Sequence, residues 1–340
     1  MQMIKVYPSR NRGNPWVLIP WTKALTHHKE VTKMQYFIGI DGGGTSSRLV
    51  AINEKNEVIA RAEGGTTNIT AQSYEGVYTN MQALLNKLHT TASLPPEKCQ
   101  ALCIGSAGAS TGENASLLEK IFTSLGIKGK IKIMNDAELV LMTATGGNPG
   151  IIIISGTGSV GYAIDNNGTT HRAGGWGHLI DDGGSGYRIG MDAIKAALMD
   201  TDGRGKKTIL TNIVTQFFNQ PDPTKTLAYI YGNTFHKSHI AELAPLVEKA
   251  ASQNDSIAIS IQANAAKDLV SLTTALIHRS QLFAHTIVLS GSIILRSKDI
   301  RQMYETAICK SHPNMQIKPM SESAELGAAN IARKLCHKFS

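Results

Sequence analysis

Two short glycine-rich segments, each directly after an apolar stretch, constrain the fold of this chain more than any other feature. The first is DGGGT at 41–45, which follows the apolar residues 36–40. The second is SGTGS at 155–159, which follows four isoleucines at 151–154. A turn without bulky side chains presents several backbone N–H groups to one point in space, which suits a phosphate group. The pair therefore predicts a phosphate site, with the hydroxyls of Thr45, Thr157 or Ser159 as further donors.

The residues after the first segment show which kind of phosphate site is predicted. A dinucleotide-binding fingerprint requires a helix after its glycines. Here residues 47–52 (SRLVAI) are typical of a strand, and 58–62 form another strand after the turn at 54–57. The chain also lacks the G-x-x-x-x-G-K-[ST] pattern of a P-loop. The glycines therefore join two strands of a meander. A plain hairpin turn remains the alternative at each position.

Length and charge set the general class. With 340 residues the chain can build two domains with cores of their own. Six of the 34 Lys and Arg, but only one of the 26 acids, lie in residues 1–33, so the remainder is only mildly basic despite the formal charge of +8. A nucleic-acid partner is not indicated. No apolar run approaches the roughly 20 residues of a membrane helix.

Residues 1–33 are predicted to be a basic extension outside the fold. Their apolar run at 16–19 lies between two prolines and is too short for the core of a signal peptide. Met34, directly before the first strand, is the expected natural start, and a tail with an interaction role is the alternative. Without an export signal, the four cysteines are expected to be reduced thiols of a cytoplasmic protein. Their positions are Cys99, Cys103, Cys309 and Cys336.

The order of predicted elements indicates a duplicated α/β fold. Each half opens with a strand, a glycine turn and a second strand, and helices with apolar residues at helical spacing follow. The predicted lobes are 34–148 and 149–322, separated by the GGNPG break at 146–150, with a cleft between them. A closing helix within 323–340 is predicted to pack back on the first lobe.

Five motifs, in this order, carry a resemblance to a known family. They are DGGGT at 41–45, Thr67-Asn68, Asn135-Asp136-Ala137, SGTGS at 155–159 and GGWGH at 174–178. The set resembles the N-acetylglucosamine kinases of the BadF/BadG/BcrA/BcrD ATPase group, and most of all the bacterial kinases of N-acetylmuramic acid and N-acetylglucosamine. This resemblance covers the chain from Met34 to about Arg333. It implies a two-lobed, actin-like (ribonuclease H-like) ATPase fold.

The resemblance also implies an activity and a set of residues. The activity is ATP- and Mg²⁺-dependent phosphorylation of the 6-hydroxyl of an N-acetylated amino sugar, in amino-sugar salvage or cell-wall recycling, by a homodimer. For ATP the implied residues are Asp41, Gly42, Gly43, Gly44, Thr45, Gly156, Thr157, Gly158, Gly291 and Ser292, with Asp41 serving Mg²⁺ through water. For the sugar they are Asn68, Asp136, Gly175, Trp176, Gly177, Asp182 and also Ser106.

Asp136 is the predicted general base. A carboxylate must accept the proton of the sugar hydroxyl, and Asp136 stands where an apolar strand meets a helix. A helix N-cap is its alternative role, because Asp is favoured there. Asn68 is alternatively a turn residue, Trp176 an anchor of its loop, and His178 a structural histidine rather than a catalyst.

One departure from the family pattern concerns Asp181-Asp182-Gly183-Gly184-Ser185, where the family usually has Gly-Asp-Glu-Gly-Ser. The aspartate is kept, but Gly183 replaces the glutamate and Asp181 replaces a glycine. If that glycine needs a positive φ, Asp181 occupies it at some cost. Loss of the glutamate is expected to weaken sugar binding or change the preferred substrate.

Three other functions stay open. A glucosamine kinase fits the same motifs, and the choice among amino sugars is not encoded in them. An iron–sulfur ATPase that activates dehydratases needs cluster-binding cysteines, for which Cys99 and Cys103 are badly placed. A catalytically weak sugar sensor or repressor would need a DNA-binding module, for which the first 33 residues are too short.

Overall fold

The computed structural model describes residues 35–43, 46–70, 72–106, 108–109, 112–233 and 235–337. The chain divides into two compact units. The first unit contains the described residues up to Ile133 and those from Ala328 onwards. The second unit contains the residues from Met134 to Gly327. No helix in the described part of the chain has the length and apolar character needed to span a membrane.

The first unit is built around one sheet with two long helices. Its central strand is buried along its apolar residues 36–40, and this burial explains why its sequence is apolar throughout instead of alternating. Its elements are β1 (Tyr36–Gly42), β2 (Ser46–Asn53), β3 (Val58–Gly65), α1 (Tyr74–Ala92), β4 (Cys99–Ser106), α2 (Asn114–Ser124) and β5 (Lys130–Asn135). The strand order is β3-β2-β1-β4-β5, with β1 antiparallel to β2 and parallel to β4.

The second unit contains a sheet and most of the helices. Its strands are β6 (Gly150–Ser155), β7 (Ser159–Ile164), β8 (Thr170–Gly174), β9 (Thr286–Ser290) and β10 (Gln316–Pro319). Its helices are α3 (Asp136–Thr145), α4 (Gly186–Thr201), α5 (Leu210–Phe217), α6 (Leu227–Ile230), α7 (Lys237–Ala241), α8 (Ala244–Ser252), α9 (Ser256–Ser280), α10 (Ser292–Arg296) and α11 (Lys298–Ser311). A last helix, α12 (Ala324–His337), closes the described chain.

The two sheets repeat one topology. The second has the order β8-β7-β6-β9-β10, so in both sheets an antiparallel meander is extended by two further strands beside its first strand. In each, the glycine turn joins the first and second strands of the meander. The predicted α/β class with duplicated sheets is therefore confirmed.

The observed division places residues 134–148 with the second unit, whereas the predicted boundary followed residue 148. The reason is the packing of α3. Its buried Leu141 joins Ile152, Ile164 and Val288 in one apolar cluster of the second sheet. The sequence alone could not show that α3 packs on the second sheet, because the glycine-rich loop that follows α3 has the composition of a linker between domains.

The end of α12 is fixed to the first unit by polar contacts. Lys130 Nζ donates to the carbonyl of Leu335 at 2.9 Å, and an Arg333 nitrogen donates to the carbonyl of Glu54 at 3.2 Å. The cysteines of the described chain are free thiols, and Cys99 and Cys103 are buried. Burial raises the pKa of the Cys99 thiol to about 12, so it stays protonated at neutral pH.

Candidate functional site

The first glycine turn leaves no room for a side chain at its start. A Cβ added to Gly42 would lie 2.0 Å from Thr67 Oγ1 and 2.9 Å from the carbonyl oxygen of Gly105. The Gly43 N–H donates to the carbonyl of Ser46 at 3.0 Å, which closes the turn between β1 and β2. The predicted ligands Gly44 and Thr45 lie outside the described residues.

Asp41 forms an ion pair at the end of β1. Arg48 stands directly opposite in β2, and its guanidinium donates to Asp41 Oδ2 at 2.6 Å. Among the described residues no group of three or more His, Cys, Asp or Glu side chains is arranged to hold a metal. Mg²⁺ commonly binds through one or two carboxylates together with substrate phosphates. The donor set therefore fits Mg²⁺ that arrives with a nucleotide.

The segment at 66–68 is tied to the first turn. Thr66 Oγ1 donates to the carbonyl of Gly43 at 2.7 Å, and the Thr67 and Ser106 hydroxyls are 3.2 Å apart. Ser106 is fully buried and its hydroxyl also donates to the Thr67 carbonyl, so this predicted sugar contact instead supports the segment. Asn68 Oδ1 accepts from the N–H and hydroxyl of Thr70, as a turn residue would. Asn68 is partly exposed, and its amide nitrogen makes no hydrogen bond to the described residues.

The second glycine turn is fastened by serines on both sides. Ser155 Oγ donates to the carbonyl of Gly184 and Ser159 Oγ to that of Gly183, both at 2.7 Å. The Ser159 hydroxyl proton is therefore used in this bond to Gly183. This differs from the prediction that Ser159 donates to a phosphate group. The carbonyl groups of Gly156 and Thr157 accept N–H groups of the first turn of α4. Thr157 is partly exposed and its hydroxyl forms no hydrogen bond to the described residues.

Asp182 lies against this second turn. Only 4% of it is exposed, and its Oδ2 would be 3.0 Å from a Cβ added to Gly158. Its φ is +62°, in the left-handed region that Asp tolerates better than most residues. Asp182, the residue predicted to contact the sugar, is thus a carboxylate beside the second glycine turn.

The departure at 181–183 has a structural explanation. Asp181 is not among the described residues with positive φ; the positive values fall on Asp182 and Gly184. A Cβ at Gly183 would lie 2.8 Å from Asp268 Oδ2, so the carboxylate of α9 already fills the space in front of this glycine. Desolvation raises the pKa of Asp268; Arg188 opposes this effect, and Asp192 and Asp181 add to it.

Gly183→Ala is expected to lower the free energy of unfolding by about 1–3 kcal/mol, because the new Cβ overpacks the contact with Asp268. Adding Asp268→Ala to this variant should restore part of the lost unfolding free energy. The second substitution removes the Asp268 carboxylate, but the Cβ of residue 268 remains and still crowds the added methyl group. Urea unfolding of the two single variants and the double variant measures this coupling. An equal loss from Gly183→Ala with and without Asp268 would contradict the overpacking.

The loop at 174–178 exposes its tryptophan. Gly174, Gly175 and Gly177 all have positive φ, and Trp176 is 67% exposed, with the Arg172 guanidinium 4.5 Å from its ring centre. The backbone N–H of Trp176 donates to Asp181 Oδ2 at 3.3 Å. The ring is therefore open to solvent and held on one side by a cation.

His178 belongs to an aromatic cluster. Its ring centre lies 5.0 Å from that of Tyr187 and 6.0 Å from that of Phe235. These contacts support the structural role for His178 over a catalytic one.

Asp136 is not the N-cap of α3. Asn135 is the cap residue, and its Oδ1 accepts the N–H of Glu138 at 2.6 Å. Asp136 follows as the first residue of the helix, exposed, with its Oδ1 near the N–H of Ala137 at 2.9 Å. Burial raises the pKa of Tyr162, and the Asp136 charge adds to this effect. Since Asn135 performs the capping, the fold does not require a carboxylate at 136.

A cavity of about 520 Å³ opens beside the second turn. Gly156 and Thr157 line one side, and Ser292 lines it at the start of α10. Gly291, just before, has a φ of +96°. Ligand pockets commonly have volumes of roughly 300–1,000 Å³. The cavity also takes in residues that the sequence analysis missed, among them Ser238, Glu242, Gln262 and Ser297.

A glycine-rich turn of the kind that suits a phosphate lies next to a cavity of ligand size, on one of two sheets of equal topology. This combination is typical of nucleotide-binding α/β proteins. The comparison with known families makes this class specific. The chain belongs to the BadF/BadG/BcrA/BcrD ATPase family, which it matches over residues 38–332. The predicted family and actin-like fold class are thereby confirmed.

Individual relatives cover nearly the whole fold. The chain is 35% identical over 305 residues to the N-acetylmuramic acid/N-acetylglucosamine kinase of Clostridium acetobutylicum, covering 89% of this chain and 100% of the relative. It is 28% identical to the N-acetyl-D-glucosamine kinase of Dictyostelium discoideum, covering 88% and 98%. A solved structure from Chromobacterium violaceum, named as a candidate N-acetylglucosamine kinase, superposes with a TM-score of 0.70 at 26% identity, covering 88% and 99%.

Proposed function

We propose that this protein is a kinase that transfers the γ-phosphoryl group of ATP to the 6-hydroxyl of an N-acetylated amino sugar. The single observation that carries the proposal is the full-length similarity to a kinase of N-acetylmuramic acid and N-acetylglucosamine, at 35% identity. Because the match spans the whole relative, it includes both glycine turns and the start of α3. N-acetylglucosamine and N-acetylmuramic acid are the proposed substrates.

The nucleotide occupies the second unit in this proposal. Its nucleoside part fills the cavity next to Gly291 and Ser292. The N–H groups of Thr157 and Gly158 hold phosphate oxygens, since the Gly156 N–H already donates to the Gly158 carbonyl at 2.9 Å. The Thr157 hydroxyl adds one more donor. The glycine-rich sequence at 41–45 is proposed to contact phosphate groups as well. Such donors are already oriented and stabilise charge without reorganisation during the reaction.

Mg²⁺ neutralises phosphate charge when it is bound with ATP. Asp41 is proposed to hold it through water, because Arg48 already pairs with one carboxylate oxygen. Oxygen ligands of this kind are those that Mg²⁺ prefers.

Asp136 is proposed as the general base. The sugar 6-oxygen attacks the γ-phosphorus, the bond from that phosphorus to the bridging oxygen breaks, and ADP leaves. The hydroxyl proton passes to the Asp136 carboxylate. Being exposed and free of the capping task, Asp136 can present an oxygen to a substrate. The proposed sugar contacts are Asn68, Gly175, Trp176, Gly177 and Asp182. An aromatic face such as that of Trp176 suits a sugar ring.

The test is ADP release by the full chain with Mg-ATP and a panel of sugars. The panel holds N-acetylglucosamine, N-acetylmuramic acid, glucosamine, glucose and 6-O-methyl-N-acetylglucosamine, which lacks the accepting hydroxyl. We expect turnover with the N-acetylated sugars and none with the methylated one. Preferred turnover of glucosamine would favour the glucosamine kinase. Sugar-independent ADP release by folded protein would favour the regulator.

Two finer predictions accompany the activity. We propose that the protein works in the cytoplasm and as a homodimer. Light scattering on a size-exclusion column measures the mass directly, and the mass of a single 36.5 kDa chain would contradict the dimer.

A further inference from the structure

Gln262 is an unusual residue for its position in α9. The buried side of this helix is formed mainly by apolar residues, with Ile261, Ala265 and Leu269 among the neighbours of Gln262. Only 2% of Gln262 is exposed, and its Nε2 has no hydrogen-bond partner among the described residues. Other buried polar side chains of α9 do have partners: Thr273 bonds to Tyr304, and Ser280 to the carbonyl of Leu276. An unpaired buried amide calls for an explanation, such as a ligand.

Ser297 has the same property in a different segment. It stands between α10 and α11, where a serine hydroxyl commonly caps the following helix. Here it makes no capping bond, and Glu248 Oε1 accepts the N–H of Lys298 at 3.3 Å instead. Ser297 is 6% exposed, and its hydroxyl has no partner in the described part of the chain.

Both side chains line the cavity beside the second glycine turn. The rest of its lining includes the apolar side chains of Ile189, Pro245 and Ile300. The lining also includes the charged residues Glu242, Glu248 and Arg296. The apolar part of the wall together with the two unpaired polar groups suits a flat heteroaromatic ring that carries hydrogen-bonding atoms on one edge. A nucleobase has this character, and a sugar does not.

We propose that Gln262 selects the adenine base of the nucleotide, with Ser297 as a second polar contact. This inference rests on the nucleotide site of the proposed function. A glutamine amide pairs with adenine through two bonds, because its N–H donates to N7 and its carbonyl oxygen accepts from the exocyclic amine at N6. Guanine presents acceptors at both N7 and O6, so either orientation of the amide places its oxygen against an acceptor. The cavity therefore prefers adenine to guanine nucleotides.

The test uses isothermal titration of the full chain with ADP and with GDP, in the absence of sugar. We expect the wild-type protein to bind ADP more tightly by roughly 5- to 150-fold, the discrimination of one good bidentate pair. Gln262→Leu, of similar size but without the amide, should weaken ADP binding and bring the two dissociation constants within about twofold of each other. An unchanged ratio in Gln262→Leu would overturn the proposal.

Two controls separate base selection from a structural effect. Asn264 lies on the same helix and is exposed, so Asn264→Ala should keep the wild-type ratio. Gln262→Leu places an apolar side chain among apolar neighbours, and its nucleotide-free melting temperature should not fall. If the protein binds ADP more tightly than GDP as expected but phosphorylates no sugar, only the kinase proposal is contradicted. If the protein phosphorylates a sugar but Gln262→Leu leaves the ratio of the GDP and ADP dissociation constants unchanged, only the adenine proposal is contradicted.

Discussion

Asp136→Asn should lower kcat for sugar phosphorylation by about 10²- to 10⁴-fold, because the amide cannot accept the proton of the sugar hydroxyl. The dissociation constant for ATP should stay near its wild-type value, since the proposed nucleotide contacts lie in other segments. Stability should also be unchanged, because Asn135 caps α3 and the amide oxygen of the variant can still accept the Ala137 N–H. Steady-state kinetics with N-acetylglucosamine, together with ATP titration calorimetry, measures both quantities.

Glu138→Gln is the matched control for this variant. Glu138 lies in the same first turn of α3 and carries the same charge, so its amide variant removes one negative charge from the same helix end. It should retain most of the activity if only the carboxylate at 136 takes the proton. Turnover of Asp136→Asn within tenfold of wild type, or equal losses in both variants, would exclude Asp136 as the base.

Gly291→Ala should lower the free energy of unfolding by about 3 kcal/mol or more and weaken ADP binding strongly. The backbone of Gly291 has φ +96° and ψ 153°, a combination that other residues rarely adopt. Its added Cβ would also lie 2.3 Å from the carbonyl oxygen of Ser155 and 2.9 Å from the nitrogen of Gly156. Relief of this overlap must move the backbone of the second glycine turn. Chemical unfolding and ADP titration measure the two effects.

Gly203→Ala separates backbone strain from the steric overlap. Gly203 has a φ of +80°, but an added Cβ would meet no atom within 4 Å. Its replacement should therefore cost only about 1–2 kcal/mol and leave ADP binding unchanged. A difference in unfolding free energy below about 1 kcal/mol between the two variants would show that Ser155 and Gly156 adapt to the added methyl group.

Local structure was predictable where one physical signal dominated. Apolar strand-type residues and short turns predicted the meander of β1, β2 and β3, and apolar residues at helical spacing predicted α1 and α2. The boundary near residue 148 was harder to predict, because a helix followed by glycines looks the same whether it packs on the sheet before it or the sheet after it.

The individual site residues were predictable by type more than by role. A carboxylate after the apolar strand at 131–134 was expected, but whether residue 135 or 136 would cap α3 depends on where the helix begins, and helix ends are the least predictable positions. Ser106 and Ser159 have hydroxyl groups that could bind a ligand, yet both bond to carbonyl groups from distant segments. Sequence patterns carry no information on such partners.

By itself the sequence determined the class of the fold, the family and the two glycine turns, because strand periodicity and the need for small residues at a turn are local properties of the chain. Only the tertiary structure decided which polar groups remain without partners. Gln262, Ser297 and Thr157 come from three distant segments, and their place at one cavity follows from the packing of α9 and α11 around the second sheet. Asp268 in front of Gly183 is a further case, since their contact joins residues far apart in the chain. Burial and pairing are properties of neighbours in space, so they could be established only once those neighbours were known.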